Sequence, residues 1–367
     1  MKCFEPSIRE ADINAVAEMM RTGEIGYGPA VEKFEKSFST LSGKEYNVGL
    51  NSASSAAYCL FAYLYEKHGS CDVYTPSVGF MSPAWAALKN GHRVYFIDVD
   101  DNLMVDFEAY RNRRTWHLER QLNINFNKSV FMPVLYGGSS DIDGLIQKVR
   151  DTNWGDIVVV DSAHCITPKI DSDYIFFSFH PVKPLTMSAG GILATNDGDA
   201  DDYIRKYRNF GREHAGDTYD IVQPGFNFYM NSLNAALGLS QMKNYQKSVA
   251  DRKTNFEFLK ENIRSSVGHF ATHDEHSSYY LATLILKDPS SRDLRESLKA
   301  HGAASSFHYP PLHKTTYFKN SQQPSLSNTE YLEERIINLP IHQNITLEEL
   351  KLVVKVVNGY DMENDVV

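Results

Sequence analysis

A single lysine, Lys183, stands between Pro181 and Pro184 in the stretch SFHPVKPLTMSAGG (Ser178–Gly191), and two short apolar runs, Tyr174–Phe179 and Ile192–Thr195, flank it. Short apolar runs bounded by Pro and Gly read as buried strands. A lysine on the connection between core strands buries its stem, and the low dielectric penalises its ammonium, so the amine loses part of its preference for the charged form. A neutral amine is a nucleophile whose commonest use is a Schiff base. Taken alone, a solvated loop lysine is the competing reading. Upstream, DIVVVDSAHC (Asp156–Cys165) contains a strand, Ile157–Val160, that ends on Asp161, with His164 just beyond. Chemistry in open α/β sheets collects at the carboxyl ends of parallel strands, which makes Asp161 a site candidate; a strand-end turn residue is its alternative. A carboxylate near a lysine-bound pyridoxal phosphate has a definite task, pairing with the protonated pyridine nitrogen so that the ring acts as an electron sink. Asp161 precedes Lys183 by 22 residues, enough for a strand-loop-strand excursion back to the same edge.

The elements that must hold these groups are legible around them. Tyr46–Leu50 reads as a strand and opens into NSASSAAYCL (Asn51–Leu60), the start of a segment, Ala53–Tyr65, of strong helix character. Unpaired amides and a partial positive charge at such a helix start form an anion site, and a phosphate fits there. Ordinary N-capping by Ser52 or Ser54 competes with that reading. Farther on, Asn231–Lys260 reads as one long helical stretch, Tyr279–Leu286 as a strand, Ser291–His301 as a helix and Leu347–Val357 as a final amphipathic helix. SQQPSLSNTE (Ser321–Glu330) reads as an exposed loop ending in a cap.

The order Ser, Asp, Lys and several surrounding phrases resemble the sugar aminotransferases of the DegT/DnrJ/EryC1/StrS family over nearly the whole chain. GEIGYGPAVEKFEKSFSTLSG (Gly23–Gly43), TPSVGFMSPAWAALKNGHRVYFIDVD (Thr75–Asp100), FMPVLYGGSSDID (Phe131–Asp143), PGFNFYMNSLNAALGLSQM (Pro224–Met242) and FHYPPLH (Phe307–His313) carry the resemblance. It implies an aspartate-aminotransferase-like α/β fold, with a large domain around a mostly parallel central sheet and a smaller C-terminal α+β domain. It also implies pyridoxal 5'-phosphate as cofactor and a homodimer with shared active sites. Lys183 would carry the cofactor as a Schiff base and then shuttle the proton, and Asp161 would pair with the pyridine nitrogen. His164 would lie near the phenolic oxygen and Phe80 would stack on the ring. Ser54, Ser55 and Ser178 would hold the phosphate, and Asn227 would reach it from the neighbouring subunit. His308 and His313 would lie near the entering substrate. Two positions depart from the pattern: Ser188-Ala189-Gly190-Gly191 stands where Gly-Glu-Gly-Gly is common, and Tyr229 where an Arg is usual.

Composition agrees with a large enzyme. The 367 residues are 42% hydrophobic and 23% charged, enough for a substantial core divided between residues 1–245 and 246–367. A net charge of −9 gives no general attraction to nucleic acid. The four cysteines lack CxxC pairing, and two of them sit in apolar surroundings as core thiols. That usage, an N-terminus without an apolar signal core and the absence of a membrane-length apolar run imply a cytoplasmic protein. Thirteen histidines include no HxxxH or HExxH spacing on a convincing helix, so no metal is expected. The resemblance implies transfer of an amino group, with glutamate as donor, to a keto group of a nucleotide-linked sugar, and SFHPVK is more similar to members that act at the sugar 4-position than to those that act at the 3-position. A sugar dehydratase or lyase on the same scaffold, and a non-catalytic sugar-binding regulator, are the alternatives. Lysine rather than histidine at 183 opposes the dehydratase, and the presence of both Lys183 and Asp161 opposes the regulator.

Overall fold

The computed structural model describes residues 1–120, 128–138, 141–166, 170–215, 218–319 and 325–364. Seven strands form the main sheet: β1 (Tyr46–Leu50), β2 (Asp72–Pro76), β3 (Arg93–Ile97), β4 (Ser129–Phe131), β5 (Ile157–Asp161), β6 (Tyr174–Ser178) and β7 (Gly191–Thr195). Their order is β1-β7-β6-β5-β4-β2-β3, with β7 antiparallel to both neighbours and every other pairing parallel. Continuously apolar strands such as Ile157–Val160 and Tyr174–Phe177 require cover on both faces, and they have it. Val159 and Phe176 feed one core while Val158, Val160, Ile175 and Phe177 feed the other, as the alternation of side chains along a strand dictates. The carboxyl ends of the parallel strands therefore share one edge.

A hairpin, β8 (Arg212–Ala215) and β9 (Thr218–Ile221), leaves the main body, and β9 is exposed throughout. The remaining strands, β10 (Gly268–Phe270), β11 (Ala282–Leu286) and β12 (Ile336–Leu339), form a separate antiparallel sheet in that order. Helices Tyr245–Asn262, Ser291–Ala300 and Leu347–Asn364 share a third core with it, built on Leu259, Leu284, Leu298 and Val353. The chain's first residues lie on this second unit: His342 Nε2 donates to Lys2 O at 3.1 Å.

Four sequence expectations change. The stretch Asn231–Lys260 is two helices, Ser232–Met242 and Tyr245–Asn262, because Lys243 and Asn244 close i→i−3 bonds to Ser240 and Gln241 and tighten the turn to an end. β11 starts at Ala282 rather than Tyr279, whose φ of 46° is incompatible with an extended strand. Within the expected loop, Ser321–Pro324 lies outside the described residues, whereas Ser327–Glu333 is helical. The Asp98 carboxylate, at the end of β3, caps that helix by accepting from Asn328 N at 2.9 Å and Thr329 N at 2.7 Å, a partner about 230 residues away that local sequence cannot reveal. Three cysteines rather than two, Cys59, Cys71 and Cys165, are buried; Cys3 is half-buried, and all four are free.

Candidate active site

The β6–β7 connection is short and pinned. Phe179 N and Met187 N bond to Gly190 O and Phe179 O, at 3.0 and 2.9 Å. Asn234 on the helix Ser232–Met242 donates from Nδ2 to Met187 O at 2.6 Å and to Ala189 O. Lys183 on this connection is 9% exposed. Among the described residues no hydrogen bond or ion pair of its Nζ is found, and the amine lies 4.1 Å from the centroid of the Tyr280 ring. Burial lowers its pKa to about 7; nearby Asp161 opposes that shift and Arg252 adds to it.

Asp161 ends β5 at 3% exposure. One oxygen accepts from Ala163 N at 3.0 Å. Burial raises its pKa to about 6 against that bond and the pull of Lys183. His164 is fixed in one tautomer: Nδ1 accepts from Gly137 N at 3.1 Å, so Nε2 carries the proton and donates to the Tyr309 hydroxyl at 2.8 Å. Burial pushes its pKa well below the ordinary value, so the ring is neutral. His308 is held by Ser306 Oγ at 3.0 Å, and burial lowers its pKa to about 4.

The start of helix Ala53–His68 closes another wall. Ser52 caps it, accepting from Ser55 N at 3.0 Å. A Cβ on Gly191 would lie 2.4 Å from Ala53 N, so only glycine at the start of β7 lets the helix start approach the sheet this closely.

These elements enclose a cavity of about 310 Å³. Of the residues expected at a site, the fold brings Ser54, Phe80, Asp161, His164, Ser178, Lys183 and His308 to its walls. Ser55, Asn227 and His313 do not line it. Ser55 turns into the helix start, donating to Asn51 Oδ1 at 2.5 Å. Asn227 is exposed, with its carbonyl accepting from Asn51 Nδ2 at 3.2 Å. His313 bonds Ser77 Oγ at 2.7 Å and faces Glu330 at 3.3 Å, bracing the segment that carries His308 and Tyr309 against the end of β2. At the two departures, Ala189 is exposed and Tyr229 packs edge-on against Tyr27 at 5.9 Å.

Sequence reasoning missed Tyr280 and Tyr309. Tyr309 lies inside the quoted phrase FHYPPLH, where the flanking histidines drew the reading away from it. Tyr280 gave no local signal; the segment that leads into β11 delivers it to the cavity. The assembled site has a buried amine that titrates near neutrality, a buried carboxylate without an ion pair among the described residues, and a helix start suited to an anion. That set suits proton transfer on a bound group that is cationic at one end and anionic at the other.

Comparison with known proteins agrees with this geometry. Residues 6–358 match the DegT/DnrJ/EryC1/StrS aminotransferase family. The chain is 27% identical to a UDP-4-amino-4-deoxy-L-arabinose–oxoglutarate aminotransferase of Shewanella sediminis, covering 96% of each chain. It is 26% identical to a UDP-4-amino-4,6-dideoxy-N-acetyl-beta-L-altrosamine transaminase of Campylobacter jejuni, over 95% of this chain and 94% of that one. Among solved structures, Spr1654 of Streptococcus pneumoniae in its PMP form superposes with a TM-score of 0.88 at 23% identity, over 99% of this chain and 98% of the other. Among the described residues, no helix is long and apolar enough to cross a membrane.

Proposed function

We propose a function from one premise: the chain belongs to the DegT/DnrJ/EryC1/StrS aminotransferase family. It transfers an amino group from glutamate to a keto group of a nucleotide-linked sugar, with pyridoxal phosphate as cofactor. The names of the two relatives, each a UDP-4-amino sugar, support the nucleotide and the 4-position. The PMP form of Spr1654 supports the cofactor. The observation that carries the reading is the pairing of Lys183 and Asp161 in one cavity with opposite perturbations: an amine made partly neutral and a carboxylate short of a cation.

The residues present fit the cofactor. Asp161 would accept from the pyridine N–H, which satisfies a carboxylate that is otherwise costly to bury. The amides at the start of Ala53–His68, with the Ser54 and Ser178 hydroxyls, would hold the phosphate, aided by the helix dipole. Ser55 would act at one remove by fixing Asn51 and that helix start. Phe80 would cover one face of the ring, and neutral His164, donating to Tyr309, would lie against it. Bound pyridoxal phosphate supplies the electron sink that makes a proton on the amine-bearing carbon removable. Lys183 Nζ would remove a proton from the donor carbon in the first half of the reaction and deliver one to the sugar carbon in the second, and a pKa near 7 suits both directions at neutral pH. His308 stands at the substrate side; His313 braces its segment.

Asn227 completes the partner's phosphate site in a homodimer, which accounts for its exposure and for its place outside its own cavity. We also propose division into residues 1–245 and 246–367, supported by the separate second sheet and core. Four free cysteines suit a cytoplasmic setting. The test is a screen of nucleotide-linked 3-keto and 4-keto sugars with glutamate, followed by mass spectrometry. An aminated 4-keto sugar, with 2-oxoglutarate formed in equal amount, is the expected result. A sugar that loses water without gaining nitrogen would replace this reading with the dehydratase.

A further inference from the structure

We propose that Tyr280 is a positioning residue for Lys183: the face of its ring is the seat to which the lysine amine returns whenever it is not joined to another group. The inference rests on the reading of Lys183 as the reactive amine and assigns a part to a residue outside the phrases that carry the family resemblance.

Tyr280 comes from the second unit, just before β11, yet its ring lies inside the cavity wall and is 1% exposed. Its main chain is fixed across the two units, since Tyr280 N and Leu281 N both bond to Gly137 O at 2.9 Å. The ring is held by neighbouring rings: Phe4 stacks on it at 5.4 Å with planes 20° apart, and His164 lies 4.5 Å away. A ring so confined presents a constant face, and Lys183 Nζ sits 4.1 Å from its centroid.

Lys44, the other buried lysine among the described residues, shows what Lys183 lacks. Lys44 Nζ donates to Ile170 O at 3.0 Å and to Ser172 O at 2.6 Å. Lys183 has no such acceptor among the described residues, and its amine lies over the aromatic face instead. The negative face of a desolvated ring favours ammonium over amine. Asp161 acts in the same direction, while burial and Arg252 act in the opposite one. His164, His180 and His308 also feel the lysine, and each has a lowered pKa that keeps it neutral near pH 7. A carbonyl or carboxylate at this position would hold the amine protonated and hydrogen-bonded. A ring face holds it by weaker forces and releases it, which suits a group that must gain and lose one proton twice per turnover.

The test is direct titration of Lys183 in the full-length chain freed of cofactor. The lysine is reductively methylated with ¹³C-formaldehyde and its resonance followed against pH. Tyr280→Leu removes the quadrupole and should lower the Lys183 pKa by about one unit; its turnover should fall about tenfold or more. Tyr280→Phe keeps the ring and should restore the wild-type titration and most of the turnover. An unmoved titration in Tyr280→Leu, or a shift in Tyr280→Phe as large as in Tyr280→Leu, overturns the proposal. Should Tyr280→Leu fail to fold, Phe4→Leu removes the ring stacked on Tyr280 and leaves Lys183 itself unchanged. It should shift the titration the same way by a smaller amount, and an unchanged titration there counts against the seat. Retained turnover in Lys183→Ala would instead sink the underlying reading of the lysine.

Discussion

The two ends of β5 carry two buried aspartates in opposite circumstances. Asp156, just before the strand and 6% exposed, is saturated: Arg114 Nη2 lies at 3.1 Å, Arg114 Nε at 3.3 Å, and the Tyr110 hydroxyl donates as well. Asp161, at the other end and 3% exposed, has one backbone N–H and no ion pair among the described residues. Lys44 and Lys183 repeat the contrast with the charge reversed. Burial is nearly equal within each pair, so burial does not separate the structural groups from those proposed to react. Hydrogen-bond satisfaction does: a saturated charge fixes the fold, and an unsaturated one keeps bonding capacity for a ligand.

The largest expected effect is at the unsaturated lysine. Lys183→Ala should lower turnover by on the order of 10⁴-fold, and Lys183→Arg should do no better because a guanidinium stays protonated. Mixing Lys183→Ala subunits with inactive Asn227→Asp subunits should return part of the turnover, since one site of each hybrid would then bear neither defect. Inactive, verified hybrids would return Asn227 to its own subunit's fold.

At the carboxylate, Asp161→Asn should cost on the order of 10²-fold or more in turnover while cofactor is still taken up. The cofactor-free variant should melt at or above the wild-type temperature near pH 7, because the change removes an unpaired buried charge. The folded pKa of about 6 lies above the ordinary 3.8, so the folded chain binds more protons than the unfolded one between these values. The penalty is thus complete above about pH 6, falls with falling pH and is gone near pH 4. The melting advantage of Asp161→Asn should follow it and vanish at the acid end. An advantage that persisted at pH 4 would detach it from this carboxyl.

The smallest effect on turnover, at the saturated end, is Asp156→Asn. Leaving Arg114 buried and unpaired should cost about 3 kcal/mol of folding stability, measured by denaturant unfolding, with turnover of the folded protein close to wild type. A variant that lost turnover while keeping its stability would erase the distinction between the two ends of β5.

How much of this was legible follows the range of the signals. The strand at Ile157–Asp161, the helix at Ala53 and the lysine-bearing connection each rest on a short contiguous pattern of apolar runs, small hydroxylic residues and proline, and these lie where their patterns put them. Ser54 and Ser55 show the resolution of such reading. A serine-rich helix start is visible as a type, but a helix turns each residue by about 100°, so one hydroxyl faces the cavity and its neighbour bonds back to Asn51. His308 and His313 divide similarly, one at the cavity and one in a brace.

The sequence by itself determined the family and with it the class of chemistry, because the order Ser, Asp, Lys recurs together with phrases matched over residues 6–358. Only the tertiary structure decided which groups are satisfied and which are free. Arg114 reaches Asp156 from a helix 42 positions earlier, Asp98 caps a helix about 230 positions later, and Tyr280, just before the second sheet's β11, lies beneath Lys183. The reason is physical: local pattern fixes the backbone period and hence the face a side chain takes, but its partners and the dielectric around it depend on what packs against that face from elsewhere in the chain.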